Sequence, residues 1–290
     1  MAFPPVGTVA PVLGDWQVQY NSVTLGGVGN PYGLIEIDGL DLPPVQTSDL
    51  QRARDHGEFV GLDMMGGRDI TITGDFVTDG TSLQHAGLVL AESFTQFAEG
   101  GSVEIPMWVQ LPGLPILCSM ARVRKRTVNV DFTYSMGLAS YSIALHATDP
   151  RLYSNTISTA VSPVGGPVGA SVSLSYLGNV DVRPLIKLVG PLTNPTVGNG
   201  STWGITLNRT LHAGEQEIID LDLHTATFIP SGGPAVFDRG SVAGTSVWPN
   251  YSYGINALFN TPTTIGCISG DGGLTGGSTL AVYYANGYLI

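Results

Sequence analysis

Residues 141–154 read YSIALHATDPRLYS and residues 178–197 read GNVDVRPLIKLVGPLTNPTV. In the first segment Tyr141, Ile143, Leu145 and Ala147 alternate with Ser142, Ala144 and His146, the period of a strand with one face buried. Asp149 precedes Pro150, which holds it extended, so the strand is expected to stop there. In the second segment Gly178-Asn179 opens a new β-unit and Asn194-Pro195 opens a turn. Between the two lies a stretch rich in Ser, Thr, Val, Pro and Gly, including Pro163 and Pro167, which do not fit a central strand. The expected organisation is a domain at 1–155, a linker region at 156–175 and a second domain at 176–290.

Working toward the N-terminus, residues 16–20 and 34–37 alternate apolar and polar side chains, and residues 68–76 form a β-branched strand. Residues 47–68 are the most charged part of this half and carry no firm period. They read as an exposed loop or arm flanking short strands. From Ser82, a plausible N-cap, Leu83, Ala86, Leu90, Phe94 and Phe97 recur at spacings of three and four. Gly100-Gly101 would terminate such an element, so a single helix is expected at about 82–99. Residues 103–111, 117–123, 127–134 and 140–147 return to strand character. The N-terminal domain is therefore expected to be mostly β with one helix. Beyond residue 175 the chain consists of short strands and turns, the pattern of a sandwich or jelly roll. The fold class is mainly β.

Composition limits what the protein can do. Gly 39 and Pro 19 make up a fifth of 290 residues, against about 12% in an average protein, so turns are dense. Charged residues are only 12% while hydrophobics are 43%. That balance opposes disorder, and it points to a surface partly covered by other chains. A net charge of −11 opposes tight nucleic-acid binding, but leaves room for DNA to slide past a repulsive wall. Cys118 and Cys267 fall in different expected domains and read as free buried thiols. The first residues lack the basic start and apolar core of a signal peptide, and no window approaches the ~20 apolar residues of a membrane span. Synthesis in a cytosol is expected.

No nucleophile elbow, zincin, phosphate-loop or paired C-x-x-C motif occurs. The five histidines, His56, His85, His146, His212 and His224, lack partners at zinc-ligand spacing. Asp220 and Asp222 would share one face of a strand at a separation that glycosidic acid/base chemistry tolerates, or else support a hairpin turn. Ser269 to Gly273 reads as a turn. No catalytic residue, cofactor or metal site is expected. The unusual charge feature is Arg122-Val123-Arg124-Lys125-Arg126, four of the twelve basic residues in five positions. On a regular strand Arg122, Arg124 and Arg126 share one face and repel unless paired. Three readings stay open for them: a solvated face, a subunit interface meeting acidic groups of the next copy, or nucleic-acid contact.

The segments 144–154 and 178–197, with the strand pair at 202–228, resemble the distal tail (Dit-type) proteins of long-tailed siphophages, in the style of phages infecting actinobacteria. The resemblance implies a ring-forming, tail-tube-like N-terminal domain and a galectin-like C-terminal β-sandwich. It further implies a homohexameric ring at the tip of a non-contractile tail, within the virion. Such a ring joins the tube to the hub and receptor-binding parts, in company with the tape-measure protein, and DNA passes through it. Two other readings compete: a major tail-tube or other baseplate subunit, and a carbohydrate-binding adhesin. For the adhesin, Trp203, Trp248, Tyr251 and Tyr253 would be the stacking platform, if they are not packed in the core.

Overall fold

The computed structural model describes residues 10–61, 63–77, 87, 103–129, 131–163, 169–199, 203–237, 263–270 and 277–290. The helix expected at about 82–99 lies outside them, Gly87 excepted. The described chain is mainly β, as its alternating patterns predict, and it divides into two compact units, Ala2–Asn155 and Thr156–Tyr288.

The N-terminal unit begins with the hairpin β1 (Gln17–Tyr20) and β2 (Val23–Leu25), then β3 (Glu36–Asp38). Four two-residue strands follow: β4 (Val45–Gln46), β5 (Leu50–Gln51), β6 (Glu58–Phe59) and β7 (Met64–Met65). The long strands are β8 (Arg68–Val77), β9 (Ile105–Gln110), β10 (Leu117–Val128), β11 (Leu138–Ala147) and β12 (Leu152–Pro163). All pairings among them are antiparallel.

Two layers share β10. Its first part pairs with β9 through Ala121 opposite Ile105, and its second part pairs with β11 from Arg122 opposite His146. One layer thus runs β2-β1-β9-β10 and the other β3-β8-β11-β10. Alternation turns Ile70, Ile72 and Phe76 of β8 and Ile143 and Leu145 of β11 into the core, with Tyr20, Met107 and Val109 from the other layer. Each such side chain contributes about 1.5–3 kcal/mol of burial. The Tyr20 hydroxyl donates to the Ala121 carbonyl at 3.2 Å, which satisfies it inside the core.

An aromatic column closes one end. Phe76 lies 5.5 Å from Tyr32, edge to face, and 5.2 Å from Tyr141. The Tyr141 hydroxyl donates to the Gly33 carbonyl at 2.8 Å. Gly74 makes this possible, because a Cβ there would sit 2.0 Å from the Gly33 oxygen and 2.4 Å from the Tyr141 hydroxyl.

The strand ends as expected just before Asp149-Pro150, and the chain then kinks. β11 ends at Ala147 and the chain resumes on the same side of β10 as β12, with Tyr153 opposite Cys118. Asp149 organises the kink: its carboxylate accepts from the Arg151 amide at 3.0 Å and from the Tyr153 hydroxyl at 2.6 Å. The stretch 156–175, expected as a linker, carries the rest of β12 and the whole of the next strand. Its Ser/Thr/Val composition is that of exposed strand as much as of spacer.

The C-terminal unit continues with β13 (Ala170–Leu174), β14 (Leu185–Val189), β15 (Leu192–Thr193), β16 (Thr196–Gly198), β17 (Gly204–Thr206) and β18 (Thr210–Leu211). It ends with β19 (Gln216–Asp220), β20 (Thr225–Ile229), β21 (Val236–Phe237), β22 (Thr263–Ile268) and β23 (Thr279–Tyr288). One sheet has the order β23-β14-β19-β20-β21 and the other β13-β22-β16-β17. Each buries one face, with Ile186, Leu188 and Ile219 in the first and Val172, Val197 and Ile205 in the second, the pattern of a two-layer sandwich. Cys118 and Cys267 are both free and buried.

Candidate assembly surface

The basic strand does not present three arginines on one face. Arg122 lies opposite His146 and Val123 opposite Leu145, but Lys125, not Arg124, lies opposite Ala144. Arg124 is the extra residue of a β-bulge, and beyond it the alternation changes phase. Arg122, Lys125 and Thr127 share the open face with His146, Ala144 and Ser142. Arg126 lies opposite Ile143, on the other face. The bulge thus puts two basic residues on that face instead of three, and it leaves Arg124 and Lys125 exposed.

The open face of β3-β8-β11-β10 is electrically polarised. At the β10 edge stand Arg122 and Lys125. The middle strand β11 offers Ser140, Ser142 and Ala144. On β8 and β3 stand Asp69, Asp75, Glu36 and Asp38. Across one row His146 Nδ1 meets Asp69 Oδ1 at 2.6 Å, bringing imidazole and carboxylate together beside Arg122. Among the described residues, no strand pairs with the outer edge of β10 beyond Ala121, nor with the outer edge of β3. Among the described residues this four-stranded layer therefore has two unpaired edges, one basic and one acidic.

The exposed loop or arm expected at 47–68 is a hairpin at 45–65, while Gly66 and Arg68 are buried. Val45 pairs with Met65 and Leu50 with Phe59, two ladders of one hairpin. Every residue of β4 to β7 is exposed. The arm's root is held by Arg68, only 1% exposed, whose guanidinium donates to the carbonyls of Gly39 at 2.9 Å, Asp41 at 2.7 Å and Pro150 at 2.8 Å. Burial pulls the Arg68 pKa down, and the charges of Asp41 and Asp149 oppose that shift. An isolated Arg before Asp69 gave no sign of this role in the sequence.

The remaining candidates resolve into packing and turns. Trp203 is 6% exposed, so its ring packs in the core and offers no stacking platform. Trp248, Tyr251 and Tyr253 lie outside the described residues. Asp220 ends β19, and its carboxylate accepts from the amides of Asp222 at 2.9 Å and Leu223 at 3.0 Å. Asp222 therefore lies in the turn and not beside Asp220 on a strand face, and it sits 3.8 Å from Arg183. This is hairpin support rather than a carboxylate pair. Among the described residues no group of His, Cys, Asp or Glu could hold a metal ion, and no helix is long and apolar enough to cross a membrane.

These features define a mainly β, two-unit protein whose conspicuous surface is charged edge and projecting hairpin. No protein-family model matches the sequence, and no curated protein matches it either. Among solved structures the chain is similar to the Dit protein (gp 19.1) of phage SPP1, described as a paradigm of the hub adsorption apparatus in phages infecting Gram-positive hosts. The TM-score is 0.65 at 13% identity, covering 93% of this chain and 98% of that one. It is also similar to a chain of the phage P2 baseplate in its activated conformation with Ca, with a TM-score of 0.50 at 9% identity, over 92% and 97%. At these identities the likeness is one of fold, and the fold is Dit-like.

Proposed function

We propose that the chain is a structural, non-enzymatic virion protein that forms a hexameric ring at the distal end of a long non-contractile phage tail. On this reading it joins the tail tube to the hub and receptor-binding parts, adjoins the tape-measure protein and leaves a passage for DNA. One observation carries the proposal: the fold follows that of the SPP1 Dit protein over 93% of this chain and 98% of that one, so neither unit is left over. The chain's own chemistry supports it. The acidic balance of −11 suits a wall past which DNA slides. The open basic edge of β10, with Arg122, Arg124 and Arg126, is the candidate subunit interface, facing acidic groups of the neighbouring copy.

Native mass spectrometry of the purified protein across a concentration series tests this. A hexamer, seen as closed single rings under negative stain, is the expected result. A monomer at every concentration would overturn the ring. Long open cylinders would replace it with a tube subunit.

A further inference from the structure

We infer that the hairpin at residues 45–65 is an arm that docks on a second copy of this chain, along β10 and the 3-10 turn Phe132–Met136 that follows it. The inference rests on the reading of a self-assembling subunit and names the surfaces that meet.

The arm cannot account for itself. A two-stranded ribbon alone is marginal in water, and this one carries apolar side chains outward. Leu50 and Phe59 lie directly opposite each other, 69% and 59% exposed. The Arg52 guanidinium covers part of the Phe59 ring at 5.0 Å, which leaves Leu50 beside it open.

A second apolar surface waits in the same unit. Phe132 and Met136 are 78% and 76% exposed. Their turn is rigid: the Asp131 carboxylate accepts from the Thr133 amide at 2.8 Å, and Gly137 closes the other end with φ 83°. Two large apolar groups held outward on a capped turn are preorganised for contact.

Charge and topology pair the two surfaces. Residues 45–65 hold four carboxylates, Asp49, Asp55, Glu58 and Asp63, against two guanidinium groups, Arg52 and Arg54. The strand before the turn holds Arg122, Arg124, Lys125 and Arg126. An acidic, apolar arm is complementary to a basic, apolar strand and turn. The arm leaves the layer between β3 and β8, whereas β10 forms its opposite edge. Each copy therefore offers one element at each edge, the condition for a heterologous, head-to-tail contact that every copy makes twice.

The test uses two full-length variants. One carries Leu50→Asp with Phe59→Asp in the arm, the other Phe132→Asp with Met136→Asp in the turn. All four side chains are exposed, so both variants should melt as the wild type does. Each alone should weaken association by about thirtyfold or more, the loss expected on removing an apolar anchor from an interface. Mixed in equal amounts, they should form a heterodimer that grows no further, because the mixture contains one intact arm-to-turn contact. Two monomeric variants that do not pair when mixed would overturn the contact. Normal assembly by the arm variant would also overturn it, leave the ring standing and assign the arm to a different tail protein. A wild-type chain that stays monomeric would remove ring and arm contact together.

Discussion

Replacing Arg68 with methionine should loosen the arm's root and the whole N-terminal unit. The guanidinium satisfies three carbonyls, those of Gly39, Asp41 and Pro150. Pro150 is buried, Gly39 half-buried and Asp41 exposed, so water can replace the donor at Asp41 and in part at Gly39. A carbonyl left bare in the interior costs about 1–3 kcal/mol. Removing the cation recovers part of its own desolvation cost, which acts in the other direction. The balance is a loss of about 1–3 kcal/mol, within the range of an ordinary destabilising substitution. Arg68→Lys keeps the charge but replaces a fork with a point donor, so about half that loss should remain. Hydrogen exchange on peptides from β8 and β11 reads this unit by itself. Protection in Arg68→Met within about 0.5 kcal/mol of wild type, the scatter of an ordinary surface substitution, would refute the reasoning.

Three further outcomes follow from the packing and the charges. Gly74→Ala should cost about 1–3 kcal/mol, because the Gly33 carbonyl is fixed by its bond from the Asp75 amide at 3.2 Å and cannot retreat; an unchanged melting curve would contradict this. Both thiols should ignore an aqueous thiol reagent in the native protein and react fully on unfolding, since burial pushes Cys267 up to about 12 and Cys118 higher still; rapid native labelling of either would contradict it. Thr133 holds the Asp131 carboxyl below its ordinary 3.8, so the capped turn is supported above that pH and loses the support as the pH falls through the lowered value. The Thr133 amide resonance should titrate below 3.8 in the wild type and not at all in Asp131→Asn; a midpoint at or above that value would refute the cap.

Much of the fold was legible because the layers are built from strands with one buried face. Burial alternates without interruption over residues 68–76 of β8 and over all ten residues of β11. The arm was legible from its charge and lack of period. What escaped is what carries no compositional mark. No glycine or turn residue announces the bulge at Arg124, and a single inserted residue reverses every later side chain. Asp149-Pro150 was correctly read as a break, but a break in pairing is compatible with a strand that resumes four residues later. Trp203 next to Gly204 could have been platform or core, and only the opposing sheet decides between them. Arg68 was unreadable as an anchor because its three acceptors are backbone groups, which any sequence supplies.

The division between the two units falls within β12, since Leu152–Asn155 belong to the first and Thr156–Pro163 to the second. A joint inside a strand has a parity that a flexible tether lacks. Inserting or deleting one residue there would turn each later side chain of the strand to the opposite face, whereas changes in pairs would preserve the pattern.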